Sequence, residues 1–390
     1  MPEQAPKRVA VAVQGGGAHG AFSWGALDRL LDYVEQGKLI ITALSGTSAG
    51  GFNAALCAYA LGFDRNQASL AKNARQLLKE YWMADAADAP FSAYSATAKL
   101  WHDTFNSWNI DNSPANVLSA VNNQIWSPIF YLQYDWLAQV LGNKIDFEKL
   151  QRQTEPPELY IATTNITAGR RDIFAKSAVT LDVLKASACI PQLFLPAKYE
   201  NNYYWDGGFM GNPAITPLIT HSSDVVLIQL NPFSRDTPPY TAMEINNRVN
   251  EITFNSSLVH EINAICAVNK LIDYFDALAK TNDAAKEAAK LLPVNRVRLT
   301  RITNEPFMRR LGYASKSVIV KDFLLDLYQE GWKEAGKWFD ASYASLADTE
   351  PASRPAMPEA TDTKKPDFPA DILDKLLSRK NIIRKRHTAS

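Results

Sequence analysis

Hydrophobic and polar positions follow two different periods along the first sixty residues. Residues 8–14 form a largely apolar run of strand length, whereas residues 21–35 carry apolar side chains at the three- and four-residue spacing of a helix. Residues 39–44 are a second apolar run, and small, helix-compatible residues continue from Ala54. A strand, a helix and a strand in this order predict a β-α-β unit, in which the strands are parallel and the crossover is right-handed.

Both periods return in the second half of the chain. Strand patterns lie at residues 159–165, 170–174, 197–200, 203–205, 224–230 and 294–302. Helical patterns lie at residues 181–189, 241–280 and 316–339, and the second of these is long enough for one or two helices. The last strand pattern alternates apolar with polar residues, which indicates an edge strand with one wet face. Strands mixed with helices in this way predict an α/β fold.

The chain divides into four segments by composition. We predict a main domain over residues 7–230, with a helical, aromatic-rich insertion at about 64–153, and a mainly helical extension over 231–349 packed on it. Five prolines make residues 350–369 a linker. Residues 370–390 carry six basic and two acidic residues beside an apolar stripe, so they form either an amphipathic helix that seeks membrane surfaces or a solvated terminus.

The overall composition is that of a globular protein without a strong charge bias. Lys plus Arg (41) equal Asp plus Glu (41), so the net charge gives no reason to expect a nucleic-acid partner. Three widely spaced cysteines argue against a disulfide framework. We find no readable signal peptide and no apolar run of 18 residues, so we expect a cytoplasmic protein, with any membrane contact peripheral.

A sharp turn between the second strand and the next helix carries candidate chemistry. Gly46-Thr47-Ser48-Ala49-Gly50 has the G-x-S-x-G pattern, in which small residues permit a strained bend that exposes one serine hydroxyl. Ser48 would also lie at the start of a helix, where free N–H groups favour negative charge. The alternative interpretation is a tight loop that is rich in glycine for steric reasons only.

The glycine run at residues 15–17 follows the first strand and lies at the same edge of the predicted sheet. Consecutive glycines can direct backbone N–H groups toward one point, so Gly15, Gly16 and Gly17 are candidate donors to an oxyanion. The run also fits the dinucleotide pattern G-x-G-x-x-G. That interpretation requires an acidic residue at the end of the second strand, where the sequence has Leu44-Ser45-Gly46, so it is disfavoured.

Asp206 is the candidate base for Ser48. It follows a strand and precedes Gly207 and Gly208, which leave space around its carboxylate, although Asp-Gly is also a favoured turn. Its competitors are poorly placed, because Asp224 begins a strand at the opposite edge and Asp172 lies in a hairpin.

Together, three motifs resemble those of the patatin-like phospholipase family: Gly-Gly-Gly-Ala-His-Gly (residues 15–20), Gly-Thr-Ser-Ala-Gly (46–50) and Asp-Gly-Gly (206–208), with Asn212-Pro213 shortly after. The resemblance covers residues 7–230. It implies a three-layer α/β/α sandwich with a mostly parallel sheet and a helical C-terminal extension. It also implies a Ser48-Asp206 dyad that hydrolyses acyl esters of lipids, an oxyanion hole at the glycine run, and supporting glycines Gly20, Gly46, Gly50, Gly207 and Gly208.

His19 departs from the family, which often has Lys or Arg at this position. We expect the imidazole to replace a fixed positive charge by a group that titrates near neutrality, or to form only a local hydrogen bond at the helix start. A Ser-His-Asp triad is an alternative, because His221 and His260 follow Asp206 in the chain. Neither histidine lies in a supporting motif.

The sequence therefore predicts a serine acyl hydrolase that cleaves lipid esters, as a phospholipase A or lysophospholipase does, without metal or organic cofactor. Some aromatics of the insertion could form an acyl-chain groove over Ser48. A thioesterase or polyester depolymerase on the same dyad and a non-catalytic lipid-binding or interaction protein stay open as alternatives. The head group, the acyl length and the oligomeric state are left open.

Overall fold

The computed structural model describes residues 5–84, 92–117, 141–191, 193–280 and 295–346. The predicted linker and the predicted basic tail lie outside the described residues, as does part of the aromatic-rich insertion. The described residues all belong to one compact unit.

The described residues contain one mixed sheet. Its strands in chain order are β1 (Lys7–Val13), β2 (Leu39–Gly46), β3 (Glu158–Asn165), β4 (Arg170–Ala175), β5 (Ala197–Tyr199), β6 (Asn202–Trp205), β7 (Asp224–Ile228) and β8 (Arg298–Ile302). Their order across the sheet is β5-β6-β3-β2-β1-β7-β8, with β4 paired to β3. The strands from β3 to β8 along this order are parallel, whereas β4, β5 and β6 pair in antiparallel fashion.

The helices lie on both faces of the sheet. They are α1 (Gly20–Glu35), α2 (Ala49–Leu61), α3 (Gln67–Ala84), α4 (Ser92–Phe105), α5 (Phe147–Arg152), α6 (Leu181–Ser187), α7 (Ala242–Ala279), α8 (Glu305–Met308) and α9 (Lys321–Ser342). The three-layer α/β/α architecture with a mostly parallel sheet is therefore confirmed, and so is the presence of C-terminal helices.

Strand β1 shows why the sheet needs helices on both faces. Its residues from Val9 to Val13 are fully buried, and successive side chains enter different cores. The odd-numbered valines pack with α1, α2, α3 and α9 in a large core. Ala10 and Ala12 face a smaller core that includes Leu258 of α7. Small side chains on this second face allow the long helix α7 to approach the sheet.

Strands β2 and β6 lie end to end along the same edge of β3, and this arrangement brings together the segments that follow them. Residues 160 and 161 of β3 pair with both β2 and β4, so these two strands lie on opposite edges of β3. Residues 164 and 165 pair with both β4 and β6, so β6 shares the β2 edge. Because β6 runs antiparallel to β3, its carboxyl end points toward the carboxyl end of β2. The segments that follow these two strands therefore meet.

The first residues of two helices differ by several positions from the sequence-based expectation. Helix α2 begins at Ala49, directly after Ser48, and not near Ala54, because the small residues of the turn already adopt helical geometry. The last long helix begins at Lys321, so the predicted start at Lys316 lies instead in a separate turn of 3-10 helix, Tyr313–Ser317. The segment 241–280 forms a single helix of 38 residues. The C-terminal extension also contributes β8, which pairs in parallel with β7 at the sheet edge.

Candidate active site

The turn after β2 places Ser48 in a conformation that few side chains adopt. Its φ of 54° and ψ of −130° lie outside the regions that non-glycine residues favour, as the strained elbow predicts. Gly50 makes the bend possible, because a Cβ atom there would lie 2.3 Å from the carbonyl oxygen of Val13. The N–H of Ser48 donates to Oγ of Ser187 at 2.9 Å, so the backbone of the turn is held from α6. Ser187 lies in none of the three sequence motifs, so this contact could not be predicted from the sequence.

The glycine loop after β1 lies beside this turn. Gly17 has a φ of 58°, the left-handed region that favours glycine, and Gly16 is extended. The N–H of Gly15 donates to Oδ1 of Asn212 at 2.7 Å, so it is directed into the protein. No acceptor for the N–H groups of Gly16 and Gly17 is found within the described residues. Of the three N–H groups that the sequence predicts as oxyanion donors, the one of Gly15 is therefore already engaged, and those of Gly16 and Gly17 stay candidates.

A buried amide network fixes the glycine loop. Oε1 of Gln14 accepts from the N–H groups of Leu230 and Asn231 at 2.7 and 2.8 Å. Its Nε2 donates to the carbonyl oxygen of Asn212 at 3.2 Å and to Oδ1 of Asn255 at 2.9 Å. Gln14 thus links β1, the segment after β7 and helix α7. In the sequence, this network is indicated only by a polar glutamine at the end of an apolar strand. That pattern does not identify the partners of Gln14.

Asp206 follows β6 and is 1% exposed. Its Oδ1 accepts a hydrogen bond from the N–H of Gly208 at 2.7 Å. Burial raises the pKa of Asp206 to about 6, although the Gly208 N–H, the nearby Ser48 side chain and the charge of Lys316 act in the opposite direction. A carboxylate with this pKa is ionised near neutrality and can still accept a proton.

Ser48, Asp206 and the three loop glycines line one cavity of about 160 Å³. Its other walls are mostly apolar side chains: Ala18, Ala49, Phe52, Tyr81, Trp82, Ala188, Ile190, Leu193, Phe194, Phe254, Ile319 and Leu324. Asn250, Tyr313, Lys316 and Ser317 add a polar side. Tyr81 and Trp82 are the described aromatics of the insertion that reach the cavity, whereas Trp108 is buried against Phe323.

Comparisons with known proteins agree with this geometry. The family model described as patatin-like phospholipase matches residues 11–219, more than half of the chain. The chain belongs to the patatin-like phospholipase family. Patatin-like phospholipases are lipid acyl hydrolases, so the family as a whole acts on lipid substrates. None of the curated proteins matches the chain.

Among solved structures, VipD from Legionella pneumophila is 14% identical to this patatin-like chain, with a TM-score of 0.36, and the match covers 87% of this chain and 67% of VipD. ExoU from the type III secretion system of Pseudomonas aeruginosa, in complex with SpcU, is 17% identical, with a TM-score of 0.25. That match covers 66% of this chain and 53% of the ExoU chain.

The remaining motif glycines of the patatin-like domain lie where segments near the cavity approach one another closely. Gly20 starts α1, where a Cβ atom would lie 2.8 Å from Cβ of Ala49. Gly207 lies against the carbonyl oxygen of Ala162, and Gly208 lies against the ring of Phe254. Gly46 ends β2 and contacts the backbone of Gly50. These positions share one property, which is that a larger side chain would separate the segments that meet at the cavity.

His19 differs from its expectation. It is buried, its Nε2 lies 2.8 Å from Oγ of Ser315, and it does not line the cavity. Burial, with a contribution from the charge of Lys316, lowers the pKa of His19 to about 3. The expectation of titration near neutrality is therefore wrong, because the tertiary structure covers the imidazole. The hydrogen bond is not local either, since Ser315 is distant in sequence.

The other candidate histidines lie away from the cavity that Ser48 and Asp206 line. Nε2 of His221 is 2.8 Å from the hydroxyl of Tyr160, near the amino ends of the parallel strands, and His260 is exposed on α7. No histidine of the described residues lines the cavity. The competing acids are also engaged elsewhere, since Asp224 pairs with Arg298 and Asp172 pairs with Arg170.

Two general features concern ligands and membranes. Within the part of the chain that the structure describes, no group of three or more His, Cys, Asp and Glu side chains could hold a metal ion. The helices of these same residues include none that combines the length and the hydrophobicity needed to cross a bilayer.

Proposed function

We propose that this chain is a serine hydrolase that cleaves carboxylic esters of lipids, with Ser48 as nucleophile and Asp206 as base. The observation that carries the proposal is the meeting of a strained serine and a buried carboxylate in one largely apolar cavity. The pKa of Asp206, raised to about 6, suits a group that must accept a proton near neutral pH and release it again.

Acylation begins when Asp206 accepts the Ser48 proton while Oγ attacks the ester carbonyl carbon. The carbonyl oxygen becomes negatively charged and accepts hydrogen bonds from the N–H groups of Gly16 and Gly17. When the tetrahedral intermediate collapses, the bond to the leaving alcohol breaks, and Asp206 returns the proton to that alcohol. The product is an acyl ester on Ser48.

Deacylation repeats these steps with water. Asp206 takes a proton from the water, whose oxygen attacks the acyl carbonyl carbon, and the same N–H groups hold the second oxyanion. Collapse releases the carboxylic acid, while the proton on Asp206 returns to Ser48. No histidine is required, because one carboxylate serves both half-reactions.

The cavity walls support a lipid acyl chain as the group bound next to Ser48. Phe52, Trp82, Leu193 and Phe194 offer apolar contacts to hydrocarbon, and burial of each methylene group contributes about 0.8 kcal/mol. We propose that the alcohol portion of a phospholipid or lysophospholipid remains toward the polar side, and that the protein meets such substrates by peripheral contact with a membrane surface.

Fluorophosphonate labelling combined with a substrate panel tests the proposal. We expect wild-type protein to be labelled at Ser48 and to hydrolyse phospholipid or monoacylglycerol faster than an acyl thioester or a short polyester. Ser48→Ala should abolish labelling and turnover, and Asp206→Asn should reduce turnover at least about 1000-fold. Ser45→Ala, which changes a buried serine on β2, the strand that leads into the Ser48 turn, is the matched control and should retain activity. Faster cleavage of the thioester or polyester would favour those alternatives, and absence of labelling would favour a non-catalytic lipid-binding protein.

A further inference from the structure

A lysine from the C-terminal extension lines the cavity that also contains Ser48. Lys316 belongs to the 3-10 turn Tyr313–Ser317, outside the residues that match the family model. Its Nζ donates to Oδ1 of Asn231 at 2.8 Å and to Oδ1 of Asn250 at 2.7 Å. Both partners are neutral amides. Among the described residues, no carboxylate lies within salt-bridge distance of this ammonium group.

The backbone of Lys316 is attached closely to the glycine loop. A Cβ atom on Gly17 would lie 2.4 Å from the carbonyl oxygen of Lys316, so the two main chains are in direct contact. This contact fixes the position of the Lys316 backbone relative to the N–H groups of the glycine loop. The turn that carries Lys316 also holds Ser315, the partner of His19, which is the second contact between the turn and this loop.

Among the described residues that line the cavity, Lys316 is the one with a positive charge, and several titratable groups surround it. His19 faces it from the glycine loop and is neutral, since the pKa of its imidazole is lowered to about 3. Asp206 faces it from the segment after β6, and the Tyr313 ring lies 5.7 Å from its Nζ. On α7, Glu251 also attracts Lys316 but forms ion pairs with Arg235 and Arg248.

Burial lowers the pKa of Lys316 to about 8, while Glu251 and Asp206 act in the opposite direction. The ammonium form still predominates at pH 7. Lys316 is half-buried, its two hydrogen bonds go to neutral amides, and it has no ion pair among the described residues. Its field therefore extends into the cavity, where limited access of water weakens the screening. An oxyanion formed beside the glycine loop would lie in this field.

We propose that Lys316 supplies the electrostatic stabilisation of the oxyanion that the N–H groups of Gly16 and Gly17 bind, and so completes the active site from the C-terminal extension. This inference rests on the proposed serine hydrolase function. It assigns to a residue distant in sequence the positive charge that the glycine loop lacks, because His19 is neutral. The effect is electrostatic, so it requires the ammonium group to be protonated.

The test compares Lys316→Met and Lys316→Arg with Lys333→Met, which changes an exposed lysine of α9. Steady-state kinetics are measured between about pH 5 and 10 on a neutral short-chain ester, since such a substrate carries no charge that Lys316 could bind directly. We expect Lys316→Met to lower kcat about 100-fold with little change in KM. Lys316→Arg should retain most of the activity, and Lys333→Met should match the wild type.

The pH profile separates an electrostatic role from a structural one. Wild-type kcat/KM should fall as pH rises through about 8, where the ammonium group deprotonates. In Lys316→Arg this alkaline limb should move above about pH 10, because a guanidinium stays protonated there. In Lys316→Met the alkaline limb should vanish, and the acid limb should move to higher pH, because Lys316 no longer favours the ionised form of Asp206.

Several results would overturn the inference. One is a kcat of Lys316→Met on the neutral ester within about threefold of wild type. A second is an alkaline limb that stays in place in Lys316→Arg, a result that decides the question even if the methionine variant does not fold. A third is a defect confined to KM for anionic phospholipid vesicles, which would make Lys316 a head-group contact. Wild-type turnover that is lost in Ser48→Ala establishes the proposed function in the same assay, so the two ideas can fail separately.

Discussion

The N–H of Gly15 donates a hydrogen bond to the side chain of Asn212 at 2.7 Å, across the join between the glycine loop and the segment after β6. Asn212 also donates through Nδ2 to the carbonyl oxygen of Phe254 on α7 at 3.2 Å. One fully buried amide therefore connects the segment that carries Asp206 with the glycine loop and with the long helix α7. The N–H of Gly15 thus has a structural role, and the N–H groups of Gly16 and Gly17 remain the candidate donors to an oxyanion.

Replacing Asn212 should affect both stability and catalysis. Asn212→Ala leaves the buried N–H of Gly15 without its partner, which costs about 1–3 kcal/mol. We expect a lower free energy of unfolding and a lower kcat, with a smaller change in KM, because the loop donors lose their alignment. The matched control is Asn304→Ala, which removes a side-chain acceptor from the N–H of Phe307, 3.0 Å away, at the start of α8. It should cost similar stability and leave kcat intact. Equal kcat values for the two variants would contradict a role of Asn212 in aligning the glycine loop.

Ionisation of Asp206 should set the acid limb of the activity profile. Since burial raises its pKa to about 6, kcat/KM should rise as pH increases through that value and Asp206 becomes a base. The same titration should reduce stability, because a raised pKa means that the folded state prefers the neutral acid. That contribution to the free energy of unfolding is complete below the unfolded pKa of about 4 and is lost as pH rises through about 6.

Asp206→Asn separates these two effects. Its melting temperature relative to wild type should increase between pH 5 and 8, by the equivalent of up to about 3 kcal/mol, while turnover is lost. Asp182→Asn alters an exposed carboxyl on α6 and should change neither quantity. Thermal unfolding and turnover measured in the same buffers provide the comparison. A stability difference that does not vary with pH would show that Asp206 is not held near the neutral state.

Gly17→Ala tests the contact between the glycine loop and the Lys316 backbone. Gly17 and Gly37 have similar left-handed φ values, 58° and 68°. A methyl group on Gly37 meets nothing within 4 Å, whereas one on Gly17 collides with the carbonyl oxygen of Lys316. Gly37→Ala should therefore cost only the conformational strain, about 1–2 kcal/mol, with normal kcat. Gly17→Ala should cost more stability and lower kcat about 100-fold. Similar losses in both variants would argue against a functional contact.

His19→Gln should leave the shape of the pH profile unchanged between about pH 5 and 9. The imidazole is buried and its pKa is lowered to about 3, so it does not change charge in this range. Loss of the contact to Ser315 should reduce the rate by the same factor at every pH. An acid limb that disappears in His19→Gln would instead assign that limb to His19 and not to Asp206.

Local patterns were sufficient for the first part of the fold. The apolar run before Gly15, the periodic helix and the turn at Ser48 depend on neighbours in sequence, so their positions could be predicted within a few residues. The same is true of the steric role of Gly50, because a G-x-S-x-G turn requires small residues wherever it occurs. Helix boundaries were less accurate, as Ala49 and Lys321 show, since capping and packing decide them together.

Contacts between distant residues could not be read in this way. The charge state of His19 depends on burial by the turn that contains Ser315 and Lys316, almost 300 residues away. The partner of the Gly15 N–H depends on where Asn212 is placed by β6. Lys316 lies in a stretch without any motif, and the sequence indicated only the start of a helix.

By itself, the sequence determined the candidate nucleophile, the candidate base and the strained turn, because each is encoded by adjacent residues whose size and backbone freedom permit few conformations. Only the tertiary structure decided that Ser48 and Asp206 meet. Strands β2 and β6 share one edge of β3 and point at each other, so their carboxyl ends converge, a result of strand pairing across more than a hundred residues. The same pairing and the packing of α7 and the 313–317 turn decided that the Gly15 N–H is engaged by Asn212 and that Lys316 lines the cavity.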